Sequence, residues 1–213
     1  MLKFKKEAEI AFDRFFGEFL ENQLKNINER IDRGRTVLHY AARLSDAGII
    51  RLLVEEGADI NARDDMGETA LHVAAFGGKV KNVKALIEKG AEVNAKSNNQ
   101  AVPLHLACLA RRMRTIEVLI NAGGNIEAVD KFGCSPLNYA KMYRRVTSFL
   151  EKKGINMEGV EVMYDKANEA TIEIMKRSSK HLVGKVIDIE EIEKFLIKEF
   201  SRLKRSKGGE HDY

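Results

Sequence analysis

The densest alternation of apolar and polar positions runs from Asp64 to Lys96, DDMGETALHVAAFGGKVKNVKALIEKGAEVNAK. A turn signal at Asp65, Met66 and Gly67 precedes a short run, Thr69 to Phe76, that carries the small residues Ala70, Ala74 and Ala75. Gly77 and Gly78 break it. A second run follows, with Val80, Val83, Leu86 and Ile87 at helical spacing. Gly90 stands where a helix commonly ends in a left-handed residue. The pattern predicts a helix–turn–helix unit with a loop. Such a unit cannot bury its own apolar face and needs neighbours.

The neighbours are in the sequence. Leu38, Leu71, Leu104 and Leu137 lie 33 residues apart. His39, His72 and His105 follow the first three and Asn138 the fourth, while Ala41, Ala74, Ala107 and Ala140 recur in the same register. Gly57, Gly90 and Gly123 repeat as well, and the fourth unit is two residues shorter between Leu137 and Gly154. Small alanines let paired helices approach closely, and leucines and isoleucines fill the space between units. Stability is then roughly a sum of unit and interface terms.

The segments TVLHYAA, TALHVAA, VPLHLAC and SPLNYAK resemble the ankyrin signature T-P-L-H-x-A. EEGADINAR, EKGAEVNAK and NAGGNIEAV resemble the closing stretch of the same family. The resemblance covers residues 31 to 156, although the first two units lack the proline. It implies an all-α solenoid of four ankyrin repeats over residues 32–156 with β-hairpin loops. It also implies a concave binding face built from the hairpin tips and the exposed side of each first helix. By position, that face holds Arg33, Arg35, Arg43 and Leu44 from the first repeat and Asp65, Met66, Glu68 and Phe76 from the second. The third supplies Asn98, Asn99, Ala110 and Arg111, and the fourth Lys131, Phe132, Met142 and Tyr143. Met66, Phe76, Phe132 and Tyr143 at surface positions have no evident folding role, and aromatic, Met and Arg side chains are enriched at interface centres. Isolated exposed apolar side chains are also ordinary on protein surfaces.

The histidine of each Leu-His pair is open to two readings, a metal ligand or a structural ring bonded to turn backbone. Neighbouring helices stack about 8–10 Å apart, whereas zinc–nitrogen bonds are about 2 Å. Histidines one repeat apart therefore cannot share an ion, and the structural role is expected, as the family resemblance also implies. Arg111, Arg112 and Arg114 form a basic run, and Arg144 and Arg145 stand at the matching place one repeat later. This stripe reads either as a contact for an acidic protein or phosphate-rich polymer, or as a solvated loop edge. No aromatic stacking pattern accompanies it, so nucleic-acid reading is not expected.

Residues 1–31 carry Ile10, Phe12, Phe15, Phe16, Phe19 and Leu20 at helical spacing. Slid forward one period, Phe19-Leu20 falls on Leu52-Leu53 and Ile27-Asn28 on Ile60-Asn61. The segment reads as a degenerate capping repeat. The rival reading is a free amphipathic helix for a membrane or a partner, and its mixed charges argue against the membrane. Residues 157–204 are expected to form a pair of helices. The first carries the stripe Val160, Met163, Ala167, Ala170, Ile174 and Met175; the second is opened by Asp188 with Glu191 as a capping box. The pair either caps the fourth repeat or carries an activity of its own, oligomerisation or binding of an anionic polymer, with the repeats as a targeting arm. Residues 205–213 read as a disordered charged tail.

Composition narrows the function. The chain has 213 residues and a net charge of +4, too small to imply nucleic acid. Cys108 reads as a small buried core residue and Cys134, in the variable turn, as an exposed free thiol. Neither belongs to a CxxC pair, which suits a reducing compartment such as the cytoplasm, with export to a host cell left open. No secretory signal and no run of about 18 apolar residues appears. Gly77-Gly78-Lys79 lacks P-loop spacing, and no nucleophile–base grouping stands out. Glu190, Glu191 and Glu193 suit a helix start rather than a catalytic pair. The expectation is a non-catalytic, monomeric, cofactor-free adaptor, inhibitor or effector that binds another protein.

Overall fold

The computed structural model describes residues 27–43 and 47–162. Most of the expected capping repeat, the expected C-terminal helices beyond Val162, the charged tail and Leu44 lie outside the described residues. A 3-10 turn, Asp32–Gly34, opens the described chain, followed by eight α-helices: α1 Val37–Ala41, α2 Ala47–Glu55, α3 Ala70–Gly77, α4 Val80–Glu88, α5 Pro103–Leu109, α6 Met113–Asn121, α7 Pro136–Lys141 and α8 Arg144–Lys152. They pair in sequence as four helical hairpins. First helices stack on first helices (α3 on α5, α5 on α7), and second helices on second (α2 on α4, α4 on α6). The result is the all-α solenoid that the period predicts.

Burial explains the two helix types. In α3, Ala70, Leu71, His72, Ala74 and Ala75 are all buried. A helix enclosed on so many sides by other helices needs alanine at the closest approaches. The second helices are amphipathic: Val83, Ala85 and Leu86 of α4 are buried while Lys81, Lys84 and Glu88 are exposed. One continuous apolar cluster then runs from Val37 to Met157. Each second helix ends in a backbone N–H reaching back to the carbonyl five residues earlier: Ala58 to Leu53 (2.9 Å), Ala91 to Leu86 (2.9 Å), Gly124 to Leu119 (2.8 Å) and Ile155 to Leu150 (3.1 Å).

The loops are hairpin-like but form turns rather than strands. Each is closed by one backbone bond, Asp64 N–H to Glu68 O at 2.9 Å, Ser97 N–H to Ala101 O at 2.9 Å and Asp130 N–H to Cys134 O at 3.0 Å. The tips are zipped from loop to loop, with Asp65 N–H bound to Arg33 O (2.9 Å), Asn98 N–H to Met66 O (2.9 Å) and Lys131 N–H to Asn99 O (2.8 Å). The described residues contain no strand. Asp64 and Asp130 fold their loops inward, each Oδ1 accepting two loop N–H groups at 2.9 Å.

The histidines tie repeat to repeat. His39, His72 and His105 accept the N-cap backbone N–H of Thr36, Thr69 and Val102 at Nδ1, each at 3.1 Å. Because a backbone amide can only donate, Nδ1 is the bare nitrogen and Nε2 carries the proton. Nε2–H then donates to a carbonyl 29 residues on: Glu68, Ala101 and Cys134, each at 3.0 Å. In the fourth repeat Asn138 does the same work. Its Oδ1 accepts Ser135 N–H at 2.6 Å, and its Nδ2 donates to Glu161 O at 2.9 Å. Residues 157–162, expected to begin a helix, are instead non-helical. They form the surface that answers Asn138, with Met157 buried and Lys141 Nζ bound to its carbonyl at 2.9 Å.

An asparagine ladder runs parallel to the histidines. Asn94 Nδ2 donates to Gly123 O (2.9 Å) and its Oδ1 accepts Asn125 N–H (2.8 Å). Asn28 makes the matching pair of bonds, to Gly57 O (3.0 Å) and from Asp59 N–H (2.7 Å). Asn28 thus sits in the repeat register that its sequence spacing predicts.

Two predictions follow from this framework. Burial holds the imidazole of His72 neutral and lowers its pKa from 6.5 to about 4; burial lowers His39 and His105 in the same direction. The unfolded chain takes up protons below 6.5 that the folded chain refuses, so stability is complete above that pH and falls as pH falls. The loss from His72 alone is on the order of 3 kcal/mol by pH 4. Urea midpoints measured from above pH 6.5 down to pH 4 check this. H72N should be weaker at neutral pH and should lose less on acidification. The second concerns Gln100, which holds φ +60° where Gly67 and Gly133 hold +68° and +77°. Q100G should raise the unfolding free energy by about 0.5–1 kcal/mol, because the left-handed region is costly for a side chain with a Cβ.

Candidate partner-binding face

The expected contact residues fall into two rows: the loop tips, and the C-terminal ends of the first helices. At the tips, several are engaged in holding the loops. Arg35 is largely buried, with Nε donating to Asp64 Oδ2 at 3.1 Å and Nη2 lying 4.0 Å from Glu68 Oε2. It acts as a strut between the first and second loops. Asp65 is exposed and paired with Arg30 at 3.1 Å. Asn98 Nδ2 donates to Asp65 O at 3.0 Å. Arg33, in left-handed backbone at φ 56°, and Asn99 supply carbonyls to the tip ladder. Met66 and Glu68 are half-buried. Lys131 is exposed, with Nζ 5.0 Å from the centroid of the Phe132 ring.

At the helix ends, Arg43 is exposed after α1. Phe76 is 40% exposed, among the few large apolar side chains of the described residues that reach solvent. Its carbonyl accepts Arg112 Nε–H at 3.1 Å. That approach needs Gly78: a Cβ there would meet Arg112 Cδ at 2.6 Å, and its φ of +69° suits glycine. One repeat on, Arg111 takes the place of Gly78 and keeps the left-handed conformation at φ +58°. Its guanidinium lies 5.1 Å over the Tyr143 ring, a cation–π arrangement. Ala110 is the half-buried cap between α5 and Arg111.

Tyr143 and Met142 owe their positions to the short fourth repeat. These two residues separate α7 from α8, as Gly78 and Lys79 separate α3 from α4, but α7 has six residues against eight in α3, so α8 starts two residues earlier in its repeat. Tyr143 becomes the N-cap of α8. Arg144 and Arg145 open the helix, in the structural register of Met113 and Arg114, so the match to Arg111 and Arg112 expected from the period is displaced. Met142, Tyr143 and Phe132 are half-buried and packed against the core. These three therefore have a folding role as well as an exposed edge, whereas Phe76 has mainly the edge.

Between the rows lies a small cleft lined by Glu68, Asn99, Leu106, Leu109, Phe132 and Tyr139 among others. Leu106 and Leu109 were not among the expected contacts. They occupy the first-helix positions of Val73 and Phe76 one repeat on, and that register is the signal that identifies them. At the cleft floor, Tyr139 Oη–H donates to Asp130 Oδ2 at 2.6 Å. Burial first, and this bond second, push the Tyr139 hydroxyl far above its ordinary pKa.

The cysteines are both buried, which corrects the expectation for Cys134. Its turn faces inward because Cys134 N–H binds Asp130 and its carbonyl answers His105. Burial also pushes the Cys108 thiol up, as befits a core residue. Among the described residues no group of three His, Cys, Asp or Glu is placed to hold a metal. No described helix is long and apolar enough to cross a membrane.

Comparison with known families agrees with this architecture. A family model described as ankyrin repeats (3 copies) matches residues 10–97, and one described as ankyrin repeats (many copies) matches residues 86–140. A search of curated proteins returned no match. Four stacked helical hairpins, the Leu-His register and family matches from residue 10 to residue 140 lead to one assignment: the chain belongs to the ankyrin-repeat family.

Proposed function

We propose that this chain is a non-catalytic binding module that grips one protein partner along the face between the loop tips and the first-helix ends. Ankyrin repeats generally mediate protein–protein interaction, and the family is typically non-catalytic. The site on this chain is carried by one observation. From Phe76 to Phe132 the face offers an exposed aromatic ring and two half-buried ones with cations seated on them, Arg111 on Tyr143 and Lys131 on Phe132. Aromatic and Arg anchors of this kind carry much of the energy of known interfaces. Stacked repeats hold them in place before binding, which lowers the ordering cost of association. The module acts as an adaptor, inhibitor or effector according to what it captures.

The test is purification of tagged wild type and of F76A/R111A/F132A from the native cell, with co-purified proteins identified by mass spectrometry. The variant should lose the principal partner while still unfolding in one cooperative transition, at a lower temperature than wild type because the half-buried Phe132 ring is gone. Identical partner sets would defeat the proposed face. R111G separates folding from binding. It relieves about 1 kcal/mol of left-handed strain and loses about 0.5 kcal/mol of cation–π contact. It should be at least as stable as wild type in urea, and should bind the recovered partner more weakly.

A further inference from the structure

The edge where first helices turn into second helices carries an arginine cluster whose charge the fold leaves unanswered by any described carboxylate. Arg111, Arg112, Arg114, Arg144 and Arg145 are all exposed. None forms an ion pair with a described carboxylate. Glu88 and Glu117, the carboxylates that line the same α4–α6 groove as Arg114, are already paired with Arg51 and Lys153. The cluster also works against its own helices. Arg112 is the N-cap of α6 and Arg114 lies in its first turn; Arg144 and Arg145 begin α8. Neither first turn contains an acid, so positive side chains stand at the positive ends of two helix dipoles. Arg111 adds a guanidinium on a left-handed residue at the same turn.

We propose that this edge is a second contact surface, and that it takes an acidic segment of a partner protein. The cluster is built of arginine alone, and the planar fork of arginine matches a carboxylate through two parallel bonds. Bound carboxylates would also meet the two helix N-termini favourably. Phe76, tied to the cluster through the Arg112 bond to its carbonyl, offers an apolar neighbour for a side chain between the acids. A nucleic acid fits less well, because the Tyr143 ring is already covered by Arg111 and no row of open aromatic faces exists among the described residues. A membrane fits less well too, since the large exposed apolar side chains described here are only Phe76, Val129 and Val162. The inference shares Phe76 and Arg111 with the proposed face and does not depend on it, as Arg114, Arg144 and Arg145 lie outside that face.

The experiment uses the full chain and its R114Q/R144Q/R145Q variant, which leaves Phe76, Arg111, Arg112 and Phe132 in place. The probes are a fluorescein-labelled glutamate-rich peptide carrying one phenylalanine, its lysine counterpart, a single-stranded oligodeoxynucleotide and phosphatidylserine vesicles. The glutamate peptide should bind at low salt and weaken as salt is added. The variant should bind it about tenfold more weakly, as the loss of three screened contacts predicts, and should melt at the wild-type temperature or above. Failure of the glutamate peptide to bind overturns the inference. So does equal binding by the variant, or tighter binding of the oligonucleotide or vesicles than of the peptide. A variant that melts below wild type also overturns it, because the arginines would then be serving the fold.

Discussion

A neutral imidazole strung between two backbone groups sets the step from one repeat to the next. Its bare nitrogen holds the start of one helix, and its N–H holds a carbonyl in the following loop. The ring is rigid and buried, so the distance between helix start and next loop is fixed by a covalent object rather than by packing alone. Everything downstream inherits that spacing. The loop tips fall within reach of each other's N–H and carbonyl groups, and the first helices meet at alanine. Asn138 shows that the requirement is for the two bonding atoms rather than for the ring. Its oxygen replaces one nitrogen and its amide the other.

A frame so strongly specified makes departures from the repeat informative. Besides Arg33, two left-handed positions that hold glycine in another repeat carry large polar residues instead, Gln100 at a loop and Arg111 at a helix turn. Both cost strain of the same kind, but their side chains meet different surroundings. Gln100 lies in a loop already closed by Ser97 and Ala101, and no contact in the structure explains the choice. Arg111 sets its charge against an aromatic ring on an exposed surface. Backbone strain with a specified side-chain contact points to use; strain without one is an opening for stabilisation.

The frame was legible in the sequence because its causes recur. Leu38, Leu71, Leu104 and Leu137 are buried or half-buried in matching places, and the histidine geometry is what the spacing argument required. The legibility fails where a cause is not periodic. Cys134 reads as a turn residue and is one, but the inward bend of that turn depends on Asp130, four residues earlier, accepting its N–H. Phe132 and Tyr143 read as surface because their register is a surface register, yet local packing half-buries them. Residues 157–162 carry an apolar spacing that suits a helix, and are instead non-helical, tied back to α7 through Asn138 and Lys141.

The fourth repeat shows how a small deletion makes a surface. Two residues are lost between the start of α7 and the start of α8, and Tyr143 is drawn into the N-cap of α8. There its ring comes beneath the Arg111 guanidinium of the repeat before. The same shortening moves Arg144 and Arg145 from the connection, where a charge would be indifferent, to the start of a helix, where it is unfavourable. A chain selected for stability alone would place acids there, as helix starts generally do. The arginines at two successive helix starts therefore cost the fold something it recovers only when negative charge is brought to them. An insertion of two residues before Tyr143 would return the fourth repeat to the common length and dissolve the aromatic–arginine pair and the cluster together. The surface is thus a product of where the period breaks.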